Sequence, residues 1–141
     1  MMPKFALIAA LLLIATPASS DWQFTKWEKW PAQVVQGSEN VAVETPPRQS
    51  GALTDKLSMP DASGELQFTV HFLFDQDDKL AEVSLDLKSG TSAQLRVALM
   101  GKYGQPVADG ATWFTDRDRI DTIAGILLFY RPRVNANNSG L

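Results

Sequence analysis

The chain contains no cysteine. This absence excludes disulfide bonds, thiolate nucleophiles and thiolate metal ligands. It also excludes the acylated N-terminal cysteine that anchors bacterial lipoproteins. The fold must therefore be stabilised by its hydrophobic core alone.

Histidine is almost absent, since His71 is the single one. A zinc site or an acid–base pair would need carboxylates alone as its partners. His71 lies on the polar side of an alternating segment, where an ordinary surface residue is expected. The nucleophile motif G-x-S-x-G and the phosphate-binding motif G-x-x-x-x-G-K-[ST] are both missing. We therefore expect no catalytic residues, no metal and no cofactor.

Long apolar runs are scarce too, and residues 5–16 form the one clear example. Lys4 precedes the run, and the small or turn-forming residues 17–20 follow it. This order is typical of a secretory signal peptide, and the run is too short to span a bilayer. We predict a signal peptide over residues 1–20, cleaved near Ser20. The lack of disulfides then favours a bacterial periplasmic or secreted location.

Neither charge sign dominates the chain, which has 13 basic and 16 acidic residues and a net charge of -3. Loss of Lys4 with the signal peptide makes the mature chain slightly more acidic. An acidic chain without a basic stripe is a poor candidate for binding nucleic acid or an anionic membrane. No second apolar run approaches membrane-spanning length, so we expect a soluble mature protein.

Two alternating segments give the clearest structural signal. Residues 66–74 and 80–88 each alternate apolar and polar side chains around an acidic turn at residues 75–78. Such a pattern predicts a β-hairpin with one buried face. The predicted buried residues are Phe68, Val70, Phe72, Phe74, Ala81, Val83, Leu85 and Leu87.

The acidic turn also raises the possibility of calcium binding. An EF-hand loop counted from Asp75 needs glycine at its sixth position and glutamate at its twelfth. Leu80 and Asp86 occupy those positions, so a solvated turn is favoured. Residues 116–119 alternate charge at another predicted turn, and exposed pairs of this kind contribute little to stability.

Two helices are predicted from their end signals. Pro31 suits a first helical turn and Gly37 a helix end, which predicts a helix over residues 31–36. Thr91 and Gln94 resemble a capping box, and helical apolar spacing continues to a stop at Gly104.

Further strands are predicted over residues 52–59, 111–115, 120–123 and 126–130. Pro46 and Pro47 indicate an irregular connection before them, and a turn is predicted at residues 61–64. The predicted fold is a single α+β domain over residues 21–131, with a flexible tail at 132–141. Two helix-plus-three-strand halves would form one antiparallel sheet with both helices on one face.

Four tryptophans are the candidate binding residues. Trp22, Trp27 and Trp30 lie within nine residues of one another, and Trp113 is the fourth. They could form an aromatic platform for a sugar, a peptide or a membrane interface. The alternative, which we favour, is that they pack over the core where the N-terminal segment crosses it.

Three motifs are spread over most of the mature chain and carry a resemblance. They resemble the W-G-M-[ST]-P-x-x-V, F-x-F-D-x-D-x-L and L-x-x-K-Y-G-x-P motifs of small exported bacterial proteins of unknown function, in which a Trp strand follows. Glu28 departs from the usual glycine, and Trp30 replaces a capping serine or threonine, so the first helix should begin less sharply. The matching residues are Trp27, Pro31, Val34, Phe72, Phe74, Asp75, Asp77, Leu80, Leu99, Lys102, Tyr103, Gly104, Pro106 and Trp113.

The helix-plus-meander organisation is also similar to that of the beta-lactamase-inhibitor-protein and outer-membrane-assembly small lipoprotein group. Members of that group bind other proteins and do not catalyse reactions. The resemblance implies a non-catalytic interaction module with a partner in the periplasm or envelope. The alternative is a small-molecule or glycan-binding protein that uses Trp22, Trp27 and Trp30.

Overall fold

The structure is a computed structural model that describes residue 23, residues 25–107 and residues 109–133. The predicted signal peptide, Trp22 and residues 134–141 of the predicted tail lie outside the described residues.

One antiparallel sheet with two helices makes up the described chain, so the α+β class is confirmed. In chain order the elements are α1 Pro31–Gly37, β1 Val43–Ser50, β2 Leu53–Ser63, β3 Leu66–Phe74, β4 Leu80–Ser89, α2 Ser92–Tyr103, β5 Thr112–Phe114, β6 Asp118–Ile123 and β7 Leu127–Pro132. The spatial order of the strands is β1-β2-β3-β4-β7-β6-β5, and every neighbouring pair is antiparallel.

The core is built on one face of the sheet, which we call the core face. The predicted hairpin is β3 and β4, and its predicted inward side chains are buried except for Ala81 and Leu87, which are partly buried. Both helices add residues to the same cluster: Val34 from α1, and Leu95 and Leu99 from α2. Burial of each such side chain contributes about 1.5–3 kcal/mol. The opposite side of the sheet is called the outer face below.

Strand β1 was not predicted, because Pro46 and Pro47 indicated an irregular connection. The two prolines lie inside β1, at a bulge where the register shifts between Glu44 and Arg48. An edge strand tolerates proline because its outer side needs no hydrogen-bond donors, and the bulge interrupts pairing locally. Four strands, and not the predicted three, therefore lie between the two helices.

Strand β2 is longer than predicted, and the turn expected at residues 61–64 is wrong. Pairing with β3 continues to Ser63, and the turn follows at Gly64 and Glu65. Pro60 pairs with Thr69, beyond Ser58, the last β2 residue that has a partner in β1. Its missing N–H therefore breaks no pairing with β1.

Other boundaries shift by a few residues. The register of β3 with β4 shifts between Leu73 and Phe74. Leu80 is therefore buried and Ala81 only partly buried, contrary to the expected alternation. Strand β6 begins at Asp118, within the predicted turn at 116–119, and β7 reaches Pro132, within the predicted tail.

The segment before α1 is attached to the sheet by its backbone. Glu28 N–H donates to Leu80 O at 3.0 Å, and Leu80 N–H donates to Lys29 O at 2.8 Å. Thr25 in the same segment is buried. Among the described residues, neither helix combines the length and apolar character needed to cross a membrane.

Candidate functional site

The tryptophans differ in how much surface they present. Trp113 on β5 is 2% exposed, and its Nε1 donates to Gly104 O at 2.9 Å. Trp27 is partly buried and donates from Nε1 to Asp118 Oδ1 at 2.8 Å. Trp30, at 59%, is largely exposed. Packing accounts for Trp27 and Trp113, while a binding role for the four tryptophans stays a prediction and Trp22 lies outside the described residues.

His71 lies beside one carboxylate on the outer face. Its Nδ1 is 2.9 Å from Asp55 Oδ2, and the other oxygen of this buried aspartate has no hydrogen-bond partner. Ser58 and Ser84 are its neighbours across the strands. Neither hydroxyl donates to the imidazole within the described chain, so the arrangement lacks an activated nucleophile.

No group of three or more carboxylate or histidine side chains that could hold a metal ion occurs within the described residues. The sequence did not reveal the pair of Asp55 and His71, because it depends on how β2 aligns with β3.

A shallow groove of about 410 Å³ lies between α2 and the β6–β7 turn. Trp113 lines it, and Arg96 on its wall donates from Nη1 to Gly110 O at 2.6 Å. Small side chains form most of the remaining wall, and no carboxylate lines it. The groove could hold a small ligand, but it brings no acid–base pair together.

Polar side chains also meet on the core face. The hydroxyls of Tyr103 and Tyr130 are 2.9 Å apart, and burial raises the pKa of Tyr130 well above its ordinary value. Burial also raises the pKa of Asp61, although Gln23 donates to its carboxylate at 3.0 Å. These shifts follow from desolvation of the charged forms.

The outer face of β5, β6 and β7 carries arginines next to aromatic rings. Phe114 pairs with Arg119 across β5 and β6, and Arg119 pairs with Arg131 across β6 and β7. Their sequence neighbours Trp113, Ile120 and Tyr130 are buried in the core cluster, so alternation directs this set to the outer face. The arginine–aromatic patch is defined as Phe114, Arg119, Phe129, Arg131 and Arg133.

Each arginine of the patch lies over a ring. The guanidinium carbons of Arg119 and Arg133 are 5.8 and 4.8 Å from the Phe114 centroid. That of Arg131 is 5.1 Å from the Phe129 centroid. Cation–π contacts at these distances contribute about 0.5–1 kcal/mol at exposed sites. They hold the arginines in defined positions above the sheet.

Carboxylates neutralise only part of the patch. Arg131 contacts Glu82 at 2.9 Å and Asp121 at 3.7 Å, while Arg119 contacts Asp121 at 2.9 Å. The side chains of both arginines remain nearly half exposed. Arg133 donates to Thr115 O at 3.0 Å and has no carboxylate in ion-pair contact within the described chain.

Like charges face each other along this strand pair. Arg119 and Arg131 are direct cross-strand partners, and the Asp121 carboxylate that contacts both offsets the repulsion between their like charges. Arg133 N–H donates to Arg117 O at 2.7 Å, so the backbone of the β5–β6 turn also contacts the segment that follows β7. The signal in the sequence was the alternation of arginine at 117 and 119 and at 131 and 133. Because residues 116–119 were interpreted as a turn, the position of Arg119 on a strand beside β7 was not predicted.

Comparisons of this chain with models of known protein families, with curated proteins and with solved structures find no match.

Proposed function

We propose that the mature chain is a non-catalytic interaction module that binds another protein through the arginine–aromatic patch. The observation that carries this proposal is the exposed set of arginines stacked on Phe114 and Phe129 on the outer face. Arginine and aromatic residues are enriched at protein interfaces and dominate their binding energy. Phe114 itself is 39% exposed, and the guanidinium groups of Arg119 and Arg133 lie over its ring.

A non-catalytic role is supported by the surroundings of His71 and by the groove at α2. His71 has one carboxylate neighbour and no activated hydroxyl in the described chain. The groove that includes Trp113 has no carboxylate in its wall. Neither place assembles the nucleophile, base and oxyanion donors that an acyl-transfer site needs.

The setting of this module is also part of the proposal. The apolar run at residues 5–16 supports export to the periplasm by a cleaved signal peptide. The resemblance to small exported bacterial proteins is consistent with that location. The two halves, α1 with β1–β4 and α2 with β5–β7, would meet where β4 pairs with β7.

Site-specific photocrosslinking in cells tests the proposal. A photoreactive amino acid replaces Phe114 in one variant and Val97 in another; Val97 is 71% exposed on α2 and serves as the control. A discrete protein adduct from position 114 that is absent from position 97 is expected. Absence of any adduct at 114, under conditions that capture a known envelope complex, would contradict the proposal.

A second candidate function is binding of a small molecule or glycan. The groove of about 410 Å³ lined by Trp113 favours it, because ligand sites are concave and often contain an aromatic side chain. Titration with candidate ligands, followed by tryptophan fluorescence, tests it. Saturable quenching that is lost on replacement of Arg96 by Trp, which would fill the groove, is the expected result. Binding that Arg96→Trp leaves intact would argue against this groove.

A further inference from the structure

We infer that residues 25–29 form a strap whose docking on the sheet shields the signal-peptide cleavage site near Ser20, so that the precursor is cleaved before its fold is complete. We call residues 25–29 the N-terminal strap, and the precursor is the chain that still carries residues 1–20. This order of events goes beyond the interaction module and rests only on the export that we propose above.

The N-terminal strap is bound to strands on both sides of the β4–β7 pairing. Its Trp27 donates from Nε1 to Asp118 Oδ1 at 2.8 Å, and Asp118, at the start of β6, is 3% exposed. The far end of the strap is bonded to both backbone groups of Leu80, the first residue of β4. Thr25 at the near end is also 3% exposed. The docked strap is therefore part of the packed interior.

The strap occupies the place where β4 and β7 part. Pairing between these strands begins at Val83, three residues after Leu80. The backbone bonds of Leu80 go instead to Glu28 and Lys29 of the strap. Because Trp27 also reaches β6, docking of the strap ties the first four strands to the last three at this end of the sheet.

The chain between the cleavage site and the strap is short. Thr25 is five positions after Ser20, and five extended residues span at most about 18 Å. Gln23, between them, already donates to the carboxylate of Asp61 on β2 at 3.0 Å. Proteases act on chain that has opened away from the folded structure. We therefore expect cleavage near Ser20 to require an undocked strap.

Backbone strain opposes docking of the strap. Glu28 has a φ of 73°, and Gln23 just before the strap has a φ of 43°. Both angles lie in the left-handed region that side chains with a Cβ disfavour. Undocking relieves this strain, so the strap can open locally while the paired strands stay folded.

Cleavage of the purified precursor by a bacterial signal peptidase tests the inference. The folded 141-residue chain is kept in detergent micelles. A synthetic peptide of residues 1–30 contains the same site without the sheet and is the reference for an open site. We expect the folded precursor to be cleaved at least about tenfold more slowly than the peptide, since cleavage follows the population of the open form. Mass spectrometry identifies the product.

Trp27→Phe and Trp113→Phe are matched variants of the precursor. Each removes one indole N–H bond, to Asp118 Oδ1 from the strap and to Gly104 O outside it. Trp27→Phe should accelerate cleavage of the folded precursor about tenfold, the effect of one hydrogen bond to a charged group. Trp113→Phe lowers global stability but leaves the bonds of the strap in place, so it should change the rate by less than about twofold.

Glu28→Gly should act in the opposite direction. Glycine adopts a positive φ without steric cost, so the strap should dock more tightly. Cleavage of the folded precursor should then slow by about threefold. Circular dichroism checks that every precursor is folded before the peptidase is added.

Three outcomes would overturn the inference: equal cleavage rates for the folded precursor and the peptide, equal acceleration by the two tryptophan variants, or faster cleavage of Glu28→Gly. The first of these, with efficient cleavage of the peptide, would leave the proposed export standing. A peptide that the peptidase does not cut would overturn the proposed export and the inference together. The interaction module is tested separately, by crosslinking at position 114.

Discussion

Asp61 and Tyr130 are two polar side chains on the core face whose ionisation is coupled to the stability of the fold. Asp61 lies opposite Phe68 in the register of β2 and β3, and Tyr130 lies between Val83 and Ile120. Burial disfavours the charged form of each, which raises the pKa of both groups. Tyr130 keeps its proton at neutral pH. The raised pKa of the Asp61 carboxyl makes the stability of the fold depend on pH.

Replacement of Asp61 by asparagine should stabilise the protein increasingly as pH rises from about 3 to about 7. The pKa of Asp61 is raised in the folded state by burial. Its contribution to stability is therefore present below the ordinary carboxyl pKa and is lost as pH rises through the raised value. The substituted asparagine carries no charge and suffers no such loss. The melting temperature of both proteins across this pH range measures the effect.

Asp109 supplies a control of opposite sign. The Ala111 N–H and the Thr112 hydroxyl lower the pKa of its carboxyl. Its contribution is present above the ordinary pKa and is lost as pH falls through the lowered value. Asp109→Asn should therefore be less stable than the parent at neutral pH. If the melting temperatures of the parent and Asp61→Asn differ by the same amount at all pH values, the expectation for Asp61 is wrong.

Trp113→Phe and Trp30→Phe should differ sharply in stability. The first change removes the indole N–H bond to Gly104 O and leaves space in the core, at a cost of about 2 kcal/mol. The second affects a side chain that is 59% exposed and should change stability by less than about 0.5 kcal/mol. Urea unfolding followed by circular dichroism measures both. Equal losses would show that Trp30 has a packing role that its exposure does not suggest.

At the scale of elements, the β6–β7 turn packs against the start of α2. The turn comprises residues 124–126; Ala124 and Gly125 both have positive φ, and Ile126 N–H donates to Ile123 O at 3.2 Å. A Cβ on Gly125 would lie 2.6 Å from the Cβ of Ser92. The turn therefore positions α2 against β6 and β7.

Gly125→Ala should destabilise the protein by more than the same change at Gly64. Both glycines have φ between +60° and +70°, where alanine costs about 1–2 kcal/mol. Only Gly125 has a neighbour within contact of the new methyl group; nothing lies within 4 Å at Gly64. The free energies of unfolding in urea compare the two variants. Equal losses would mean that Ser92 moves aside without cost.

How far the sequence predicts each element depends on whether its signal is local. The β3–β4 hairpin was predicted because the alternation around residues 75–78 is contained in one short segment. Strand β1 was missed because the penalty for Pro46 and Pro47 vanishes only at an edge, and local sequence does not specify which strand is at the edge.

The same reasoning applies to the candidate site. Arg119 and Arg131 become neighbours only when β6 pairs with β7, and Asp55 meets His71 only in the observed register of β2 and β3. Residue types at the site were visible in the sequence, but their grouping depends on pairing between segments. Trp113 was chosen for its chemistry, and its burial depended on the packing of α2.

At the scale of the whole molecule, the pairing of β4 with β7 joins two meanders, β1–β4 and β5–β7, into one sheet. Leu128 on β7 pairs with Leu85 on β4, and both belong to the single core cluster. The meanders therefore share their interior, and we expect them to unfold together.

Leu128→Ala should reduce protection from hydrogen exchange in β3 as well as in β6. Leu128 is 3% exposed, and its truncation should cost about 2–5 kcal/mol of global stability. Val97→Ala on the exposed side of α2 is the control and should leave exchange in both strands unchanged. Faster exchange confined to β6 and β7 would show that the meanders open separately.

The prolines of β1 also limit how chains of this protein can add to one another. At the other end of the sheet, β5 has only three residues, and the Val107 N–H already donates to Thr112 O. Both ends of the described sheet therefore offer few free backbone groups to the strand of a neighbouring molecule. We therefore expect edge-to-edge pairing between copies of this sheet to be disfavoured. The interaction that we propose would then depend on side chains and not on backbone pairing.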